Sequence, residues 1–471
     1  MTIDTAAIAG MKVTIMGLGI NGGGLASALF FARHGARVTV TDLRSAAVLA
    51  KSVESLHDYP VRYVLERHDE SDFSGADMVI KNPAVAPDSP FLQSARIKGV
   101  PVETDLSVFL SLASNPILAV TGSKGKSTTA SALAFGMSAF RPGARLGGNI
   151  TVSPLAFLEE LLPDDPVVLE LSSWQLGDLK GRGILAPAIS AFTVILPDHL
   201  DKYPGMAEYV ADKKGIFLEQ RVGQRALFNL DDPWQRDFPK ETRATSFFYS
   251  AHPLPRGMAG AWLEGKSGMF RAAPEQPAQA ILGQALVPGA HNRMNLLCAG
   301  LALALFGMEP DRIKSELARF PGIEHRLEVV KTWRGISFYN DSAATIPHAT
   351  VQALNSLSHP LVLITGGTDK NIDFSPLGEV AREPQAIILL AGSGTEKMRL
   401  VLDAQRIGYE GPFTNLREAV AAGIVCAHGL KGDGGCALLF SPGCTSFGMF
   451  LNEFDRGRKF KEIVAELTSG D

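Results

Sequence analysis

The chain has 471 residues, 46% hydrophobic and 20% charged, an ordinary globular composition that at ~150 residues per domain suggests about three domains. A formal net charge of -4 excludes a general attraction to nucleic acid or anionic membrane, so anionic small substrates must be captured by local groups. There is no basic leader with a long apolar run, no apolar stretch of membrane-spanning length, and no metal or disulfide spacing among Cys298, Cys426, Cys436 and Cys444. A soluble, cytoplasmic protein with reduced, mostly buried thiols is expected.

Lys12 to Met16 reads as a buried strand. The run Gly17-Leu18-Gly19-Ile20-Asn21-Gly22-Gly23-Gly24 follows, then an apolar helix through His34, then a strand from Arg37 to Thr41 ending at Asp42. This is a dinucleotide-type βαβ fingerprint, with glycines for a tight turn and an acid placed for a ribose hydroxyl. It says that a nucleotide-like diphosphate could dock, not which one. NAD is the usual occupant, so a dehydrogenase stays open, as does a purely packing role for the glycines. Strands at Asp77 to Lys81 and Val102 to Thr104, separated by the turn Asn82 to Pro90 and a helix, predict a parallel sheet with helices on its faces.

A second strand–turn–helix unit centres on Ala119-Val120-Thr121-Gly122-Ser123-Lys124-Gly125-Lys126-Ser127-Thr128-Thr129. Backbone N–H groups of a glycine turn at a helix N-terminus favour phosphate. Lys126 could reach the terminal phosphates of ATP, and a Ser127 or Thr128 hydroxyl could ligate magnesium. The loop is short: Gly122 and Gly125 enclose only Ser123 and Lys124. Glu170 closes a strand from Val167 to Leu171, where a carboxylate beside such a loop commonly serves magnesium. A strand from Ile189 to Leu196 delivers Asp198-His199-Leu200-Asp201, a catalytically well-placed position, although a lone histidine is as readily structural. Tyr209, Lys213 and Lys214 fall on the next helix, and two adjacent lysines read by themselves as a solvated face.

Residues 225–288 are strand-like and turn-rich, and Gly289-Ala290-His291-Asn292-Arg293-Met294-Asn295 opens an apolar helix to Phe306. Asn292 could cap that helix or read an adenine or ribose edge. Beyond a break at Phe320 to Ile323, strands are predicted at Leu327–Thr332, Ile336–Asn340, Leu361–Thr365, Ala386–Leu390 and Ala437–Phe440. Three polar clusters close strands here: Asp341-Ser342-Ala343-Ala344-Thr345, Gly366-Gly367-Thr368-Asp369-Lys370 and Ser441-Pro442-Gly443-Cys444-Thr445-Ser446. Convergent polar strand ends suggest a carboxylate-binding pocket.

As an ordered set, the short P-loop, Glu170-Leu171-Ser172-Ser173-Trp174-Gln175-Leu176, Asp198-His199-Leu200-Asp201, Gly289-Ala290-His291-Asn292 and His325-Arg326 resemble the Mur ligase family of ATP-dependent amino-acid ligases. Gly366 to Lys370 with Asp373 to Leu377, Ser441 to Ser446, Phe454 and Arg456-Gly457 are most similar to its D-glutamate-adding members. The resemblance implies an α/β, three-domain architecture: a Rossmann-like UDP-binding domain (1–112), a central P-loop ATPase-like domain (113–325) and a Rossmann-like amino-acid-binding domain (326–471). It implies a monomer that uses ATP and two magnesium ions and phosphorylates the carboxylate of UDP-N-acetylmuramoyl-L-alanine. D-Glutamate would then attack the acyl phosphate, in peptidoglycan precursor synthesis.

Carried over by position, Lys126, Glu170, His199 and Lys213 are catalytic, and Gly122, Ser123, Lys124, Gly125, Ser127, Thr128, Asn292, Asn295, Arg326 and Asp341 belong to the ATP site. Ile20, Asn21, Gly22, Asp42, Leu43, Arg44, Asn82, Asn149 and Ser172 serve the UDP substrate, and Thr345, Lys370, Ser446 and Phe454 the amino acid. One metal falls near Ser127, Thr128 and Glu170, a second near His199 and Lys213, the lysine that the resemblance makes a carbamate. One position departs: D-glutamate-adding members usually carry lysine where this chain has Ala343, which leaves another amino acid, L-glutamate or a catalytically silent sensor open.

Overall fold

The strands form where β-branched and aliphatic residues run together, and most are buried on both faces, as parallel strands covered by helices must be. The computed structural model describes residues 5–469 except 20, 21, 84, 87, 151, 199–202, 358, 359, 370, 371, 433 and 447. The chain divides into two compact units, Met1–Gly283 with Met294–Leu317 and Gln284–Arg293 with Ala318–Asp471.

The first unit carries two sheets. One is wholly parallel, from β1 (Lys12–Met16), β2 (Arg37–Asp42), β3 (Arg62–Leu65), β4 (Met78–Lys81) and β5 (Val102–Glu103), in the order β3-β2-β1-β4-β5. Its helices are α1 (Gly23–Arg33), α2 (Ala50–Glu54), α3 (Glu70–Ser74), α4 (Pro90–Ile97) and α5 (Asp105–Leu112). The strand order reverses between β1 and β4, so the glycine run leaves β1 at the crevice where α/β sheets bind ligands. Sequence reading passed over α2, β3 and α3, which are each four or five residues long.

The other sheet contains β6 (Ile117–Thr121), β7 (Arg145–Gly148), β8 (Val167–Glu170), β9 (Ile189–Phe192), β10 (Arg225–Asn229), β11 (Thr245–Ser250), β12 (Gly260–Glu264), β13 (Ser267–Arg271) and β14 (Gln279–Leu282). Its order is β14-β13-β12-β11-β10-β9-β6-β8-β7, parallel as far as β12 and antiparallel through the last two strands. α6 (Lys126–Phe140), α7 (Ser173–Leu179), α8 (Met206–Lys213), α9 (Ala290–Phe306) and α10 (Pro310–Ala318) are the helices of this stretch. The predicted strand Ile189 to Leu196 stops at Phe192, because the next residues turn to bond the glycine loop instead of a neighbouring strand. Within this unit the two sheets share one core, in which Phe109 of α5 meets Phe157 edge-on at 6.1 Å. Two ion pairs with buried members join them: Lys81 to Asp178 at 2.7 Å and Arg182 to Glu103 at 2.5 Å.

The second unit is built on β15 (Glu328–Trp333), β16 (Ile336–Asn340), β17 (Leu361–Thr365), β18 (Ala386–Leu390), β19 (Glu410–Phe413) and β20 (Cys436–Phe440). The order is β15-β16-β20-β17-β18-β19, with only β15 antiparallel to its neighbour. α11 (Pro347–Leu354), α12 (Ser375–Val380), α13 (Ser393–Ala404), α14 (Leu416–Leu430) and α15 (Glu453–Leu467) complete it. β19 escaped the sequence reading because Gly411 and Pro412 look like a turn. The three polar clusters follow β16, β17 and β20, which are neighbours in the sheet, so they open side by side.

Candidate functional site

The β6–α6 turn is held open by its own backbone. Gly122 and Gly125 sit at φ 144° and 87°, and Gly125 precedes the first residue of α6. A Cβ on Gly122 would lie 1.9 Å from Thr193 Oγ1, and one on Gly125 2.3 Å from Asn295 Oδ1, so only glycine fits either position. Ser123 is the clasp: its N–H donates to Val194 O at 2.7 Å, its hydroxyl donates to Leu196 O at 2.9 Å, and Tyr209 OH donates to that hydroxyl at 3.0 Å. Thr193, which no motif marked, donates its hydroxyl to Lys124 O at 2.7 Å. Ser127 and Thr128 lie half-buried in the first turn of α6, and Lys126 Nζ folds back onto Ser123 O at 2.9 Å. Lys124 is exposed and pairs with Asp198 at 3.2 Å.

Glu170 and Lys213 approach this turn from two other elements. Glu170 ends β8 opposite Val120 of β6 and is 1% exposed. Asn149 donates to its Oε1 at 2.9 Å, whereas Oε2 is buried without a hydrogen-bond partner among the described residues. An unsatisfied carboxylate oxygen in the interior is expensive unless a cation or donor joins it. Lys213, at the end of α8, is also 1% exposed, and its Nζ donates to Gly122 O at 2.8 Å. The solvated-face reading therefore fails for Lys213, while Lys214 pairs with Glu241 at 2.6 Å. Burial, and then the charge of Lys126, push the Lys213 amine down to about 7 against the pull of Asp198 and Glu170. Its amine is thus substantially neutral at neutral pH. Ser172 is committed locally: its hydroxyl caps α7 by accepting from Gln175 N at 3.3 Å.

In the first sheet, Asp42 is the last residue of β2 and 4% exposed. It accepts from Gly19 N at 3.1 Å and from Arg44 N at 2.9 Å, so it shapes the glycine run as well as facing its crevice. Gly22 is the N-cap of α1, Asn82 N donates to Met16 O at 3.0 Å just beyond β4, and Leu43 is exposed. Ile20, Asn21, His199 and Lys370 lie outside the described residues.

In the second unit, Asn292, inside the first turn of α9, donates to Pro288 O at 2.7 Å. Arg326 is exposed, Ser446 is buried, Thr345 is half-buried, and Phe454 packs its ring 5.9 Å from His325. Asp341 is 5% exposed, accepting from Ser441 Oγ at 2.7 Å and Leu327 N at 3.1 Å. Burial outweighs those bonds and the nearby Arg326 and Arg456, and lifts its carboxyl to about 7. An acid that binds its proton more tightly folded than unfolded contributes stability that is present below the unfolded pKa and lost as pH rises through the folded one. Asp341→Asn should therefore gain roughly 3 kcal/mol on the parent between pH 5 and pH 8. Calorimetry at the two pH values checks this; parallel curves would refute it.

Residues 11–104 match the MurD-like N-terminal domain of Mur ligases, and residues 120–303 match the Mur ligase middle domain. The UDP-N-acetylmuramoylalanine--D-glutamate ligase of Treponema pallidum (strain Nichols) is 38% identical, matched over 98% of each chain. That of Roseiflexus sp. (strain RS-1) is 39% identical, over 98% of this chain and 100% of the relative. The chain belongs to the Mur ligase family. Among solved structures, the UDP-N-acetylmuramate-alanine ligase MurC of Thermotoga maritima superposes with TM-score 0.58 at 17% identity, covering 97% of this chain and 100% of that one. The Thermotoga maritima MurF ligase, solved with ADP, gives 0.52 at 14%, covering 99% and 97%. Both support the three-sheet Mur ligase architecture. Membership also removes the dehydrogenase reading of the glycine run.

Mur ligases use ATP and magnesium, and this site has the chemistry for both. The glycine turn offers N–H groups and Lys126 to phosphate, and the buried, unpartnered Glu170 Oε2 suits a hard cation. Among the described residues no three His, Cys, Asp or Glu side chains cluster as a ready-made metal cage.

Proposed function

We propose that this chain is a cytoplasmic, monomeric ligase that joins D-glutamate to the L-alanine carboxyl of UDP-N-acetylmuramoyl-L-alanine at the expense of ATP, in peptidoglycan precursor synthesis. Full-length likeness to relatives bearing that activity supports it. The observation that carries the chemistry is the convergence of Lys126 and Lys213 on the Gly122–Ser123 carbonyls beside the open oxygen of Glu170.

The substrate carboxylate oxygen attacks the γ-phosphorus, the bond to the β-bridging oxygen breaks, and ADP departs. The amine of D-glutamate then attacks the acyl carbon, loses a proton, and expels phosphate as the amide forms. Bringing a carboxylate toward a polyanion is opposed by charge, and Lys126 with the turn N–H groups offsets that repulsion where it grows. Magnesium, held by Ser127 or Thr128, Glu170, His199 and a carbamylated Lys213, would supply the remaining positive charge. A neutral Lys213 amine can attack carbon dioxide, forming the N–C bond and releasing a proton, which turns a buried cation into an oxygen ligand.

Three domains, 1–112, 113–325 and 326–471, divide the substrates. Ile20, Asn21, Gly22, Asp42, Leu43, Arg44, Asn82, Asn149 and Ser172 serve the UDP substrate. The glycine turn with Asn292, Asn295, Arg326 and Asp341 serves ATP, and Thr345, Lys370, Ser446 and Phe454 serve the amino acid. Phosphate release from ATP with the UDP substrate should depend strongly on D-glutamate and hardly at all on L-glutamate. Preference for another amino acid would keep the ligase and implicate Ala343; silence across a panel of amino acids would favour the sensor.

A further inference from the structure

Arg456, in the first turn of α15, is among the largest fully buried side chains of the described residues, at 1% exposure. Its fork is spent on neutral acceptors. Nε donates to Ser342 Oγ at 3.0 Å, Nη2 to Ser342 O at 2.7 Å and Nη1 to Cys444 O at 3.0 Å. No ion pair to it exists among the described residues: Asp341 is turned to Ser441 and Leu327, and Asp369 pairs with Lys397 at 2.5 Å. Three of its five N–H groups are thus engaged with neutral acceptors, and the carboxylates of Asp341 and Glu453 act on the charge without forming an ion pair with it among the described residues. A buried charge held only by neutral groups destabilises a fold, so its presence calls for a compensating anion.

The acceptors show where that anion would sit. Ser342 lies in the polar loop after β16 and Cys444 in the loop after β20, while a Cβ on Gly367, in the loop after β17, would lie 3.7 Å from Nη1. The loops are cross-linked, Thr445 N donating to Thr368 O at 3.1 Å and Gly443 N to Ala344 O at 2.9 Å. Arg456 therefore ties together the strand ends after β16 and β20, the segment with Ala343 and Thr345 and the one ending at Ser446, and the loop after β17 joins them through the Thr445–Thr368 bond. Fully covered, it acts through the loops and through its field.

We infer that Arg456 is a positioning and specificity residue: an internal cation that fixes the strand-end loops of the second unit and makes them select an amino acid with two carboxylates. It supplies from below the charge that Ala343 does not. The inference rests on the amino-acid pocket of the proposed function. It also distinguishes the ligand class, because a neutral side chain of equal size gains nothing from this field.

The test is steady-state kinetics with D-glutamate and D-glutamine as alternative acceptors. Arg456→Gln should lower the preference for D-glutamate over D-glutamine at least tenfold, with KM for ATP and for the UDP substrate within about twofold. Arg456→Lys keeps the charge but not the fork, so it should retain the preference within about threefold while raising KM for D-glutamate several-fold. Equal losses with both acceptors would reduce Arg456 to a structural role and overturn the inference. If Arg456→Gln does not fold by circular dichroism, Arg456→Lys decides, and an unchanged KM for D-glutamate overturns it. Thr345→Val and Ser446→Ala separate the two readings: if neither alters KM for D-glutamate, the pocket itself is misplaced.

Discussion

Lys126→Ala is expected to lower amino-acid-dependent phosphate release by about 10²–10³-fold while leaving affinity for the UDP substrate within about twofold. The ammonium sits in the first turn of α6, folded onto Ser123 O, so it is anchored at the turn before any nucleotide arrives. Its charge counts most when a second anion approaches the γ-phosphate, which is when repulsion peaks. A second effect adds to the first. The charge of Lys126 helps hold the Lys213 amine low, so its removal raises that amine and shrinks its neutral fraction at pH 7. The variant should therefore depend more steeply on added bicarbonate and on alkaline pH than the parent. Most of the residues proposed for the UDP substrate lie at the other sheet of the same unit, so its binding should survive; titration calorimetry measures it. Joint loss of phosphate release and UDP-substrate binding would mean that the two sites are wrongly assigned.

Much of this was legible because the signals are local. β1, β16, β17 and β18 fall on their predicted residues, since each is a short run rich in β-branched, aliphatic or aromatic side chains. The turn at Gly122 to Lys126 was legible for the same reason. What stayed hidden depends on distance in sequence. Thr193 clasps a loop sixty-nine residues away, and nothing around it distinguishes it from any strand-end threonine. Asp42 was readable as an acid after a strand but not as the acceptor of Gly19 N. Lys213 and Lys214 are neighbours of the same type, and only packing buries one and leaves the other on a salt bridge. Arg456 was visible as part of a motif, but its burial against neutral acceptors is a property of two loops far apart in sequence.

Lys213→Ala should abolish ligation, at least about a hundredfold on the scale of a lost charge-stabilising group, and regain part of it with added formate or acetate. The arm is buried, with its amine 2.8 Å from Gly122 O and 4.6 Å from the Tyr209 ring centre, so its removal leaves a slot that a small carboxylate can fill. A role limited to positive charge would be rescued by alkylamines; a role as a carbamate is rescued by carboxylates, which restore an oxygen anion beside Glu170. The titration gives an independent readout. A base whose folded pKa lies below its unfolded value loses stability wherever the folded state must carry the charge, and regains it as pH rises from about 7 towards 10.5. The parent, freed of carbon dioxide, should show that rise and Lys213→Ala should not. Carbon dioxide should then both flatten the rise and restore activity, because one reaction removes the buried cation and creates the ligand. A fully active Lys213→Ala would leave the low amine pKa without a function and end the carbamate assignment.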